Sequence, residues 1–219
     1  MSEVQLPSDL KARILKQAQE RPAPTRRTEM VRAALLVAGS IALAVGIFYL
    51  RGGVRVTGRP TSLILGTSLG TAAIAAIGTW FALGRRRSML GRSSLGLLVM
   101  AAVTPLALLF WKVIWSAQYP TGLDPWPGRI GFRCLTLSML MGVPPLLALL
   151  FVRRRTDPTH PHLAGLSAGA SVGLCVALFV DMWCPVGYIP HFFLGHLLPI
   201  ALLALAGFGI GNVLLAPKK

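Results

Sequence analysis

The sequence predicts an all-α integral membrane protein, a six-transmembrane-helix bundle preceded by a short cytoplasmic N-terminal amphipathic helix. Three observations carry this expectation. Six apolar runs of about bilayer length recur along the 219 residues. Only 13% of the residues are charged against 54% hydrophobic, too little polar surface for a soluble domain of this size. Finally, the basic residues stand in short clusters between the apolar runs, where topology determinants belong.

The runs place spans at residues 33–50, 62–83, 95–115, 134–152, 163–182 and 193–215. Each reaches or approaches the roughly 20 residues that a helix needs to cross the hydrocarbon layer. As helices they satisfy their backbone groups internally, which lipid demands. Gly165, Gly169 and Gly173 stand four apart and so share one face, a surface for close helix packing rather than chemistry. Gly66 and Gly70 repeat the spacing in the second span. The first apolar run follows a polar segment too long for the n-region of a cleavable signal, so it reads as a retained span.

The net charge of +15 invites a nucleic-acid reading, but no binding motif accompanies it and no direct nucleic-acid contact is expected. Its distribution instead sets the orientation. With the N-terminus inside, 16 Lys and Arg lie on the cytoplasmic side and 6 on the other. Both termini are therefore expected in the cytoplasm. Trp111, Trp115, Trp126 and Trp183 then gather toward the outer interface, where indoles prefer to lie. This divides the chain into a cytoplasmic segment, 1–32, a transmembrane domain, 33–215, and a cytoplasmic tail, 216–219. The only sizeable outer loop, 116–133, carries Pro120, Pro125 and Pro127 and has no room for a folded domain.

Residues 6–20 read as a short amphipathic helix. Ser8 suits the cap and Asp9 the first turn. Leu6, Leu10 and Ile14 recur on one stripe with Leu15 beside it, while Lys11, Arg13, Lys16 and Gln17 cover the other faces. Pro22 and Pro24 end the helix. So short a helix is marginal alone. Its stripe fits either a protein groove, with Leu6, Leu10 and Ile14 as anchors, or an anionic membrane surface.

Of three cysteines, Cys175 falls mid-span and reads as a small core residue. Cys134 opens the fourth span and Cys184 follows the fifth, so both reach the same outer end. Three readings of the pair stay open: a structural disulfide, a redox-responsive pair, or free thiols and metal ligands. His191 and His196 lie nearby, and with Asp181, Cys134 and Cys184 they make a weak candidate metal set of N, O and S ligands. Standing five apart, they share a helical face poorly, and no HExxH or paired CxxC motif supports a metal, so no cofactor is expected. Asp181 sits near a span end, where solvation is expected. His160 and His162 read as polar residues of an inner loop. No acidic residue falls mid-bilayer, which counts against an ion-coupled transporter. Thr67, Ser68, Thr71, Thr104 and Lys112 are the best candidates to line a path. An enzyme or quinone-linked redox protein using the outer Cys/His residues is the other rival.

Two stretches carry a family resemblance. The first runs from Leu6-Pro7-Ser8-Asp9-Leu10 to the Pro22-Ala23-Pro24-Thr25-Arg26-Arg27 tether. The second runs from Cys134 through Pro144-Pro145 and Ala164-Gly165 to Trp183-Cys184-Pro185, with the cysteines 50 residues apart. Together with six spans, they resemble the NrsF-type membrane anti-sigma factors. The resemblance implies a non-enzymatic protein of the bacterial inner membrane. Its N-terminal segment, through Leu6, Leu10, Lys11, Arg13, Ile14 and Leu15, would hold an extracytoplasmic-function sigma factor away from RNA polymerase. An envelope, redox or light-type signal would release it, with Cys134 and Cys184 as the sensing or disulfide pair. The cytoplasmic segment has no His or Cys, which excludes the zinc-containing anti-sigma fold there.

Overall fold

Six long helices form because six apolar segments lack internal breakers strong enough to stop them. The computed structural model describes residues 26–55, 60–83, 93–118, 131–154, 159–184 and 189–216. The helices are α1 (Arg26–Leu50), α2 (Thr61–Leu83), α3 (Ser94–Gln118), α4 (Phe132–Val152), α5 (Pro161–Trp183) and α6 (Ile189–Leu214). All six are long and apolar enough to cross a membrane. Their order and number agree with the sequence pattern. The amphipathic segment at residues 6–20, with Leu6, Leu10, Lys11, Arg13, Ile14 and Leu15, lies outside the described residues.

The chain divides into two units, Met1–Leu36 and Val37–Lys219. In the first, α1 begins at Arg26, seven residues before the apolar run. Nothing in Arg26–Arg32 breaks a helix, and the exposed Glu29–Arg32 pair, 3.9 Å apart, sits one turn apart on its surface. In the second unit, α1 closes on Gly52 and Gly53, at φ 103° and 59°. Their N–H groups donate to the Tyr49 and Phe48 carbonyls, which caps the helix through the left-handed backbone that glycine permits.

Pro105 lies inside α3, and Pro144 and Pro145 lie inside α4. Each removes one helical donor, a loss that packed apolar helices tolerate through their neighbours. The outward surface of the second unit is apolar. Leu65, Trp80, Phe110, Leu205 and Val213 are all exposed, the reverse of a water-soluble bundle.

α5 is the most enclosed helix and packs against α2, α3, α4 and α6. Its stripe of small residues explains why. A Cβ on Gly165 would overlap the Gly207 carbonyl of α6, and one on Gly169 would overlap the Leu203 carbonyl. At Gly173 it would stand 2.8 Å from the Ile200 Cα. Gly207 and Gly211 return the same gaps from the α6 side. The two backbones therefore touch along three turns, the close approach that such spacing allows.

Gly66 and Gly70 are used differently. The indoles of Trp115 and Trp111 lie over them, where a Cβ would overlap each ring. Trp111 Nε1 donates to the Gly66 carbonyl at 3.2 Å. These two tryptophans thus fill glycine gaps between α2 and α3 and are half-buried. Cys175 departs from expectation. α5 buries Gly173, Leu174, Ala177 and Val180, which leaves Cys175 on an exposed flank with its sulfur 3.6 Å from Thr79 Oγ1. His162 belongs to the first turn of α5, its ring 5.3 Å from Phe208.

Substituting Gly169→Val forces α5 and α6 apart along their backbones. The expected loss is at least about 2 kcal/mol of stability, from overpacking without a side chain that can yield. A thermal melt of the purified protein in detergent checks it. Gly39→Val, at a position with open space, is expected to leave the melt unchanged.

Candidate functional site

Successive helices bring the starts of α4 and α6 to the same end of the bundle as the finish of α5. Cys134 lies in the first turn of α4, Cys184 caps α5, and His191 and His196 lie in the first turns of α6. All four are buried, none more than 4% exposed. Their potential ligand atoms lie within 4.8 Å of one another. His191 Nε2 stands between the thiols, 3.4 Å from Cys134 Sγ and 3.2 Å from Cys184 Sγ. Cys134 and Cys184 are free thiols.

An unbroken α-helix would set His191 and His196 about 140° apart. α6 instead contains a π turn over Phe193–Leu197, in which the Leu198 N–H reaches the Phe193 carbonyl. A π turn brings the fifth residue back toward the face of the first. The ring centroids are consequently 5.7 Å apart. The local sequence favours the irregularity: Pro199 supplies no N–H to the Gly195 carbonyl, and Gly195 has no side chain to hold the turn.

Two glycines let α4 approach this turn. Gly131 precedes α4 at φ 98°, a left-handed backbone that side chains rarely adopt. A Cβ there would meet the Gly195 nitrogen at 3.0 Å. A Cβ on Gly195 would meet the Cys134 Cβ at 2.9 Å. Sequence reasoning missed both positions. The available signal was Gly195 standing between the two histidines.

Asp181 is also resolved differently from expectation. It is buried, 7% exposed, rather than solvated. One carboxylate oxygen pairs with Lys112 Nζ from α3, and the other lies 3.6 Å from His196 Nδ1. A buried carboxylate needs such partners, because desolvation of an unpaired charge costs several kcal/mol. Asp181 therefore adjoins the Cys/His group without being one of its four members. Lys112 answers Asp181 rather than lining a path. Thr67, Thr71 and Thr104 donate back to the carbonyls of Leu63, Thr67 and Met100 within their own helices. The polar residues suggested for transport are thus mostly satisfied locally.

Cys184 lies just beyond α5, and its thiol is held below the ordinary range. The main cause is the hydrogen bond from the Cys134 thiol, followed by His191 and His196, against an opposing effect of burial. Thiolate character is what makes a cysteine a nucleophile or a ligand. Chemically, this arrangement suits thiol–disulfide exchange or soft-metal ligation.

Residues 16–216 match the family described as NrsF, negative regulator of sigma F. The chain belongs to the NrsF family. No curated protein and no solved structure matches it. An NrsF-type negative regulator has a sigma factor as its partner. The matched range contains every member of the Cys/His group together with Lys112 and Asp181. It opens immediately after Leu15, the last of the residues expected to dock the sigma factor.

In this NrsF-family bundle, Lys112→Met removes the cation that pairs with the buried Asp181 carboxylate. The expected loss is about 3–5 kcal/mol. Combining it with Asp181→Leu is expected to recover much of that loss, because no uncompensated charge remains. Denaturant titrations of the two single variants and the double variant, in one detergent, give the coupling.

Proposed function

We propose that this chain is an inner-membrane anti-sigma factor acting on an extracytoplasmic-function sigma factor. Its membership of a family of negative regulators of a sigma factor carries the reading. Six helices of membrane-crossing length and an apolar outward surface support a multi-pass anchor. The bias of basic residues, 16 against 6, supports cytoplasmic termini.

The docking element in this reading is the N-terminal segment. Leu6, Leu10, Ile14 and Leu15 supply an apolar stripe, flanked by Lys11 and Arg13. Such a stripe suits a helix-in-groove contact that occupies a surface the sigma factor needs for RNA polymerase. The Cys134–Cys184 pair is the sensing element. It lies where α4, α5 and α6 meet, so an envelope, redox or light-type signal acting there bears on three helices at once. Transmission to the cytoplasmic side requires two arrangements of the bundle whose balance the signal shifts.

The test is co-purification. The tagged full-length chain, extracted from host membranes, is expected to bring down one sigma factor selectively. Leu10→Asp/Ile14→Asp is expected to abolish that recovery and to raise transcription from the sigma factor's own promoters, with membrane levels of the chain unchanged. Recovery of the sigma factor undiminished by this double substitution sinks the docking assignment.

A further inference from the structure

We propose that Cys134, Cys184, His191 and His196 form a four-ligand tetrahedral site for a soft divalent cation of the zinc type. Asp181 is its positioning residue. This inference concerns what the cluster binds and stands independently of sigma-factor docking.

Geometry is the first argument. Tetrahedral zinc with two sulfurs and two imidazole nitrogens sets its ligand atoms about 3.3–3.8 Å apart. The four side chains already hold their ligand atoms within 4.8 Å, and His191 Nε2 is 3.4 and 3.2 Å from the two sulfurs. A contraction of a few tenths of an ångström to about 1 Å completes the shell. All three helices that would move already end at the site.

The state of His196 is the second. It is 2% exposed, yet among the described residues neither ring nitrogen makes a hydrogen bond of proper geometry. A buried, unsatisfied polar atom costs about 1–3 kcal/mol. Packing and the thiol contacts account for His191 but leave His196 unexplained. Its Nδ1 is 3.6 Å from the Asp181 carboxylate, so ligation through Nε2 would leave Nδ1–H to donate to that carboxylate. A carboxylate behind a ligating imidazole is the usual arrangement at zinc, orienting the ring and raising its basicity.

Charge is the third. Two thiolates and two neutral imidazoles neutralise a divalent cation completely. Beside it, the Asp181 carboxylate is paired with Lys112. The loaded site thus adds no net charge to a buried environment, where an unbalanced ion is costly. Binding releases to solvent whatever protons the thiols still hold, with no change of oxidation state. Four protein ligands leave no open position, so the site ties helix ends together rather than catalysing a reaction.

The test uses the full-length protein, purified in detergent with a non-thiol reductant, stripped of metal and titrated with zinc or cobalt(II). One equivalent is expected to bind. The cobalt form is expected to show the strong visible bands of tetrahedral coordination and a near-ultraviolet thiolate-to-cobalt band. His196→Ala is expected to lose the tetrahedral visible bands, and Cys184→Ser to weaken the thiolate band. Asp181→Asn is expected to keep the spectrum while weakening affinity about 10- to 100-fold. Cys175→Ser, on the exposed flank of α5, is expected to change neither spectrum nor affinity. The wild-type spectrum decides the matter even if a variant fails to fold. Absence of a thiolate-to-cobalt band in the reduced wild type overturns the site. So does a tetrahedral spectrum that survives His196→Ala unaltered.

Discussion

The backbone contact between α5 and α6 is the constraint on which the candidate site depends. Gly165, Gly169 and Gly173 admit the α6 backbone at distances that any side chain would prevent. That contact fixes the register of α6 against α5. It thereby sets His191 and His196 beside Cys184, at the point where α5 stops. For helices embedded in lipid, where no hydrophobic force drives them together, packing of this closeness would supply the association energy itself. The same contact sets the spacing between α6 and α4, another neighbour of α5. There Gly131 and Gly195 supply a second, smaller gap that admits Cys134.

The polar groups at this end are costly unless they answer one another. Asp181, Lys112 and the two histidines come from α5, α3 and α6, and each is more expensive alone than together. The Lys112–Asp181 pair settles two of them. His191 is settled by the thiols. His196 is left with the carboxylate at 3.6 Å and, among the described residues, no proper hydrogen bond to either nitrogen. A cation bound by the thiolates and imidazoles satisfies the remaining valences and couples α4, α5 and α6 at one point. Within the anti-sigma reading, a site that ties three helix ends together is well placed to pass a change at one end of the bundle into the helices themselves.

Much of this was legible in the sequence. Span number and order follow from hydropathy alone, because a bilayer-length apolar run leaves little choice of structure. The glycine stripe on α5 was legible through its spacing of four, and Cys134 and Cys184 were placed at one end by counting reversals. The remaining features depend on long-range or irregular geometry. Lys112 and Asp181 are 69 residues apart, and no local pattern links them. The π turn in α6 breaks the 3.6-residue period on which the separation of His191 and His196 was judged. Cys175 reads as core by hydropathy, yet in an apolar environment the outward face of a helix is as hydrophobic as the inward one. Trp111 and Trp115 fit an interface belt by composition, but the glycine gaps that receive them belong to another helix.

The most direct test of the site is the coordination shell of the metal in the native protein. X-ray absorption at the zinc edge, on full-length protein isolated from membranes without added metal, reads the ligand types around any resident ion. The account predicts a mixed first shell, two sulfurs at about 2.3 Å and two nitrogens at about 2.0–2.1 Å. A shell of light oxygen or nitrogen atoms without sulfur would contradict it.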